Sequence, residues 1–210
     1  MRTSLISCLI VLSSAVAYGQ LVAINIDAEL LKDQSGNAMP TTGLAFLAVD
    51  TQGDGFSSPS PGAFFSSADD QIIKKWDLSA FNTAGVLSDT TGQQLLTGNW
   101  NSGDALKLYW YPNLTVNSTS PGASGVHYGS YSGSAGVNGS GAWTTPNVGV
   151  LLSLRFFTSD ASVLNTGGAE PSSAGLASFT VVPEPAVYSS IFAGLCLLGG
   201  IVRKLSTKRS

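Results

Sequence analysis

The apolar residues of this 210-residue chain fall into short runs of strand length, separated by stretches rich in glycine, serine, asparagine and proline. Val22, Ile24 and Ile26 recur at every second position, which is the period of a strand with one buried face. No stretch keeps a helical apolar period for three turns. Other strand-length runs occupy residues 44–49, 105–111, 148–158 and 176–182, and the apolar density of 148–158 predicts a central strand. The pattern predicts a mainly β domain, an antiparallel β-sandwich or jelly roll.

The clearest strand pattern is ALKLYWY, Ala105–Tyr111. One face would carry Leu106, Leu108 and Trp110 towards the core, which leaves Lys107, Tyr109 and Tyr111 on the other face. Tyrosine suits binding surfaces because its ring is apolar and its hydroxyl is polar. Tyr109 and Tyr111 are therefore candidates for stacking on a sugar ring. The alternative is that they fill a second packing layer.

Both ends of the chain indicate targeting segments. Residues 1–19 combine a basic start, an apolar run and an A-x-A cleavage pattern, which together indicate a secretory signal peptide. Residues 186–202 carry no charge, and as a helix they would span roughly 25 Å, close to the ~30 Å hydrocarbon core of a bilayer. The basic segment 203–210 follows, beginning with Arg203 and Lys204, and such residues stay on the cytoplasmic side. The sequence predicts a C-terminal transmembrane helix with the preceding domain outside.

The triplet Pro183-Glu184-Pro185 stands directly before the apolar run. Proline has no backbone N–H, so we expect this segment to stay extended outside the helix. The order of triplet, short apolar helix and basic end over residues 182–210 resembles the PEP-CTERM sorting signal of bacterial envelope proteins. The resemblance implies that exosortase, a membrane-embedded cysteine transpeptidase, recognises Pro183, Glu184 and Pro185 and removes the tail, with Arg203 and Lys204 as the membrane stop. The alternative is a permanent single-pass anchor.

Between these segments lies one domain's length of chain, residues 20–181. Residues 20–182 hold twelve acidic and five basic side chains, a net charge of −7, which argues against nucleic acid as a partner because phosphate binding needs clustered Lys and Arg. Both cysteines of the chain lie outside this domain, and His127 is its only histidine. A cysteine nucleophile and a His/Cys zinc site are excluded, and a Ser-His-Asp triad would depend on His127 alone. We predict that the domain is not an enzyme.

The segment Asp50-Thr-Gln-Gly-Asp54-Gly55 resembles the first half of a D-x-[DN]-x-[DN]-G calcium loop. Asp50 and Asp54 stand at ligand positions one and five, and Gly55 at the sharp turn. Gln52 departs from the pattern at position three, and position twelve is not glutamate. Calcium bound by Asp50 and Asp54 is therefore a candidate cofactor, and the alternative is a plain strand-connecting turn. The sequence leaves open whether the acidic pair 69–70 lies near this loop.

These observations favour an exported cell-envelope or extracellular-matrix protein with a non-catalytic structural or adhesive β domain. We expect the C-terminal helix to hold it in the inner membrane until exosortase cuts it and it passes to the cell surface or the medium. Its expected partners are exosortase, the inner membrane and exopolysaccharide. The alternative functions are a carbohydrate-binding module or carbohydrate-active enzyme, and a permanently anchored surface protein, because one sorting signal can accompany many cargos.

Overall fold

The computed structural model describes residues 20–89, 93–96, 100–133, 143–158 and 172–182. The predicted signal peptide 1–19, triplet 183–185, transmembrane helix 186–202 and basic segment 203–210 lie outside these ranges. None of the helices within the described ranges is long and apolar enough to cross a membrane. The described residues form two short 3-10 helices, Leu78–Phe81 and Ser172–Gly175, and nine strands: β1 (Gln20–Glu29), β2 (Leu44–Asp50), β3 (Asp70–Asp77), β4 (Leu87–Asp89), β5 (Gln93–Leu96), β6 (Ala105–Tyr111), β7 (His127–Tyr131), β8 (Leu151–Phe157) and β9 (Phe179–Thr180).

The strands are arranged in two sheets. In the first sheet β1 pairs with β4, β5 and β8, and the second sheet has the order β3-β2-β6-β7-β9. Every pairing in the second sheet is antiparallel. The prediction of a mainly β, sandwich-like domain is confirmed.

One pairing departs from the predicted antiparallel arrangement. Strands β1 and β8 run parallel, in register from Ala23 with Leu151 to Glu29 with Phe157. This pair also departs from a jelly roll, which is antiparallel throughout. The prediction that residues 148–158 form a central strand is wrong. Within the described ranges β8 pairs with β1 alone, and Leu151 is 56% exposed. Apolar density misled the prediction because part of the run is exposed to solvent.

The core lies between the two sheets. Strand β1 contributes Val22, Ile24 and Ile26, none of them more than 4% exposed. The facing sheet contributes the fully buried residues Leu106, Leu108 and Trp110, all from β6. The predicted alternation along this strand is confirmed, because every second side chain of a strand points to the same face.

The other face of β6 packs against a second apolar layer. Tyr109 and Tyr111 are 2% and 0% exposed, and their ring centroids lie 5.2 and 5.9 Å from that of Phe46 in β2. Residues 51–69, which we call the covering loop, place Phe64 and Phe65 over these rings. The prediction that Tyr109 and Tyr111 stack on a sugar is wrong, because their faces are occupied by the protein's own aromatic residues.

Candidate metal centre

A carboxylate at the end of β2 organises the loop that follows it. Asp50 is 1% exposed. Its Oδ1 accepts hydrogen bonds from the N–H groups of Gln52 (3.0 Å) and Gly53 (2.8 Å), and its Oδ2 accepts one from Gly55 (2.9 Å). Gly53 and Gly55 adopt φ values of +74° and +98°, which glycine reaches without a Cβ clash. The loop therefore wraps around the Asp50 side chain.

The pairing of β2 with β3 brings the chain back to the end of β2, where Asp50 lies. Asp50 stands opposite Asp70 in the register, so the covering loop leaves and rejoins the sheet at one point. The backbone carbonyl of Asp69 accepts hydrogen bonds from the N–H (3.2 Å) and the Oγ1 (3.0 Å) of Thr51. These bonds fasten the two ends of the loop together and bring Asp69 beside the Asp50 turn.

Three carboxylates converge there, and we call Asp50, Asp54 and Asp69 the acidic cluster. One carboxylate oxygen from each lies within 4.8 Å of the others. Asp54 is exposed, whereas Asp69 is only 6% exposed. Among the described residues, no N–H or O–H group donates a hydrogen bond to the buried Oδ2 atom of Asp69. Buried polar atoms are nearly always paired, so this oxygen is an exception that calls for an explanation.

The carboxylates of the cluster repel one another. The negative charge of Asp69, followed by desolvation, a side-chain hydrogen bond with Asp69 and the charge of Asp50, raises the pKa of Asp54 above its usual value. For Asp50, burial on its own would raise the pKa, but the backbone N–H groups of Gly53, Gly55 and Gln52 outweigh burial and lower it. The cluster therefore combines one firmly ionised carboxylate with one that gains from a nearby positive charge.

A solvent-facing pocket of about 470 Å³ adjoins the cluster, lined by Thr51, Gln52, Ala68, Asp69, Gln71 and Asn101. Next to it, Asp70 accepts hydrogen bonds at Oδ2 from the N–H (2.8 Å) and the Oγ (2.6 Å) of Ser57. Burial lowers the pKa of Lys107, while the charge of Asp70 acts in the opposite direction. Lys107 thus interacts with Asp70, the residue that follows Asp69 of the cluster in the sequence.

The structure brings Asp50 and Asp54 together, as the calcium-loop pattern predicted, and adds Asp69. Sequence reasoning left Asp69 unassigned, although pairing of the strands that flank the covering loop would have placed it there. Tyr109 and Tyr111 belong to the second apolar layer instead. The sorting residues Pro183, Glu184 and Pro185, and the membrane-stop residues Arg203 and Lys204, lie outside the described residues.

An all-carboxylate cluster suits a hard cation such as Ca²⁺ or Mg²⁺, because these ions take oxygen ligands whereas zinc favours histidine and cysteine. No protein-family model matches the chain, and neither a curated protein nor a solved structure matches it.

Proposed function

We propose that this chain is an exported, non-catalytic β module of the cell envelope or extracellular matrix. The N-terminal segment 1–19 directs its export, and residues 186–202 hold it in the inner membrane as a transmembrane helix. Exosortase then cuts at Pro183-Glu184-Pro185 and frees or transfers the domain to the cell surface or the medium. The basic residues Arg203 and Lys204 keep the tail on the cytoplasmic side until the cut.

The observation that carries this proposal is how the described fold is held directly before the triplet. Val181 is 1% exposed, its N–H donates to the carbonyl of Val126 (2.9 Å), and its carbonyl accepts from the N–H of Gly125 (2.9 Å). Val182, the residue before the triplet, is 54% exposed. Cleavage at the triplet would therefore remove none of the contacts of the described domain, and the sandwich would survive processing intact.

A structural role is supported by how the aromatic side chains are used. Trp110 and Phe156 pack between the sheets, with ring centroids 5.8 Å apart, while Tyr109 and Tyr111 pack beneath the covering loop. These four aromatic residues stabilise the fold. Tyr109 and Tyr111, on which the sugar-binding alternative was based, are therefore not accessible to a sugar. The net charge of −7 over residues 20–182 favours solubility and opposes binding to nucleic acid. Binding to exopolysaccharide stays a prediction.

Processing is tested with the full chain tagged at its C-terminus and within the domain. The chain is expressed in bacterial cells with and without an exosortase, and the products in membranes and medium are analysed by mass spectrometry. We expect a species that ends at or near residues 183–185 only when exosortase is present. Replacing Pro183, Glu184 and Pro185 by alanine should abolish it. A matched control replaces Glu170 and Pro171, the same residue types outside the triplet, and should be cut normally.

A single full-length species with its tail intact in both strains would refute processing and establish the permanent anchor. A cut that ignores both sets of substitutions would assign the cleavage to a general protease. Retention of the uncut triple variant in the membrane fraction would separately support the transmembrane role of residues 186–202.

A further inference from the structure

We propose that Asp50, Asp54 and Asp69 bind one calcium ion, which joins the two ends of the covering loop. This site is independent of the sorting proposal, because it depends only on residues inside the described sandwich. The sequence pattern supplied Asp50 and Asp54. The structure assigns Asp69 as the third carboxylate and gives the bound ion a structural consequence.

The spacing of the carboxylates suits a single ion. Calcium binds oxygen ligands at about 2.3–2.6 Å, so two ligands of the same ion lie at most about 5.2 Å apart. One carboxylate oxygen from each of Asp50, Asp54 and Asp69 lies within 4.8 Å of the other two. Three such oxygens can therefore share one calcium without a rearrangement of the backbone.

A second observation points to a ligand. Asp69 is only 6% exposed, yet no N–H or O–H group of the described residues donates a hydrogen bond to its buried Oδ2 atom. An unpaired buried carboxylate oxygen is costly, and a coordinated cation is one of the few groups that satisfy it. The fold holds Asp69 in this place through the two bonds from Thr51 to its carbonyl. The side chain is therefore kept beside two other carboxylates although all three repel one another.

Calcium fits this site better than zinc or magnesium. The three described residues of the cluster are all aspartates and offer only carboxylate oxygens. Zinc prefers histidine and cysteine as ligands. Magnesium demands near-ideal octahedral geometry, whereas calcium tolerates irregular sets of six to eight oxygens. The adjoining pocket, which Gln52 and Asn101 help to line, gives water access to fill the remaining positions.

The ion would fasten the covering loop over the second apolar layer. Asp50 directly precedes this loop, Asp54 lies near its start, and Asp69 is its last residue. Between them Phe64 packs at 5.4 Å from Tyr111, and Phe65 at 5.5 Å from Tyr109. Closing the loop costs conformational entropy, and a ligand that binds only the closed form stabilises the folded state. Calcium should therefore raise the stability of the whole domain.

The test uses the full chain in detergent micelles, titrated with CaCl₂ by calorimetry and with terbium by luminescence. Trp100 donates through Nε1 to Gln71 (3.2 Å), a residue of the same pocket as Asp69, and so provides a nearby sensitiser for terbium. We expect one site with a Kd of about 0.1–1 mM, typical of extracellular calcium modules. A 100-fold excess of calcium over Kd should raise the Tm by about 5–10 °C.

Two variants separate a binding role from a merely structural one. Asp54→Asn and Asp69→Asn each remove a ligand and one repulsive charge, so we expect calcium affinity to fall at least tenfold. Without calcium their Tm should equal or exceed that of the wild type, since repulsion is relieved. Asp27→Asn, which removes a carboxylate from β1 in the other sheet, is the matched control and should bind calcium normally.

Absence of any calcium or terbium response in the wild type would overturn the site. So would a lower calcium-free Tm in both cluster variants together with an unchanged affinity, because the carboxylates would then serve the fold alone. An equal response to magnesium would overturn the assignment to calcium. None of these results depends on cleavage at residues 183–185.

Discussion

Gly129 in β7 lies directly opposite Trp110 in the register of β6 and β7. A Cβ added to Gly129 would fall less than 3 Å from three atoms of the Trp110 indole. The backbone of Gly129 imposes no positive φ, so the constraint is purely one of space. The indole is fully buried and packs against Phe156, so it cannot move without displacing its neighbours. We therefore predict that Gly129→Ala destabilises the domain.

The magnitude follows from three contributions. Overpacking a core side chain costs about 1–3 kcal/mol. Displacing the indole also weakens its Nε1–H hydrogen bond to the Lys32 carbonyl (3.3 Å), and a hydrogen bond of this kind contributes about 1 kcal/mol. Replacing glycine by alanine in a strand returns about 0.5–1 kcal/mol of backbone entropy. The net loss is about 1–3 kcal/mol, which lowers the Tm of a domain of this size by about 2–12 °C.

The assay is thermal unfolding of the full chain followed by tryptophan fluorescence and near-UV circular dichroism. Gly62→Ala is the matched control, because a Cβ at Gly62 meets nothing within 4 Å, and its Tm should stay within about 1 °C of the wild type. In a Trp110→Leu background the cost of Gly129→Ala should disappear, since the clash is gone. A Tm of Gly129→Ala at or above that of the wild type would refute the close packing of Trp110 on the β7 backbone.

Three further predictions concern buried polar side chains. Burial raises the pKa of Tyr109 and Tyr111 far above the usual value near 10. As the pH rises above 10, these tyrosines therefore lose their protons in the unfolded chain before they do so in the folded domain. Urea titrations should show the free energy of unfolding falling by about 1.4 kcal/mol per pH unit for each tyrosine. Tyr111→Ala should cost about 3–5 kcal/mol in the same assay at pH 7, and a loss below 1 kcal/mol would contradict its burial. Trp76→Phe removes the hydrogen bond from Nε1 to Oδ2 of Asp89 (2.6 Å), an oxygen that Lys74 also contacts at 2.5 Å. The free energy of unfolding in urea at pH 7 should fall by about 1.5–3 kcal/mol. An unchanged unfolding midpoint would show that this hydrogen bond contributes nothing to stability.

The glycine-rich residues 122–141 illustrate where sequence reasoning was incomplete. Their composition predicts a long loop or irregular hairpin on the surface, and within them His127–Tyr131 forms strand β7 of the second sheet. Gly129 is needed there because the indole of Trp110 occupies the space above it. That requirement comes from a residue nineteen positions earlier in the chain, so no local pattern could reveal it. The composition of a strand can therefore be dictated by its cross-strand neighbour.

The acidic cluster was half predictable for a similar reason. Asp50 and Asp54 lie in one turn, so their spacing could be recognised directly from the sequence. Asp69 joins them only because β2 pairs with β3 and closes the covering loop. The covering loop also buries Tyr109 and Tyr111. The strand pattern placed both on one face but could not show that Phe64 and Phe65 cover it.

The amino-acid pattern alone was enough to predict the class of the fold, the alternation along β6, the acidic character of the domain and two of the three clustered carboxylates. These properties follow from local periodicity and composition, which can be read from short stretches of the sequence without knowing how the strands pair. Three features became visible only in the folded structure: the parallel pairing of β1 with β8, the second apolar layer and the position of Asp69. Each depends on contacts between residues far apart in the chain, which form only when whole strands pair in a particular order and register.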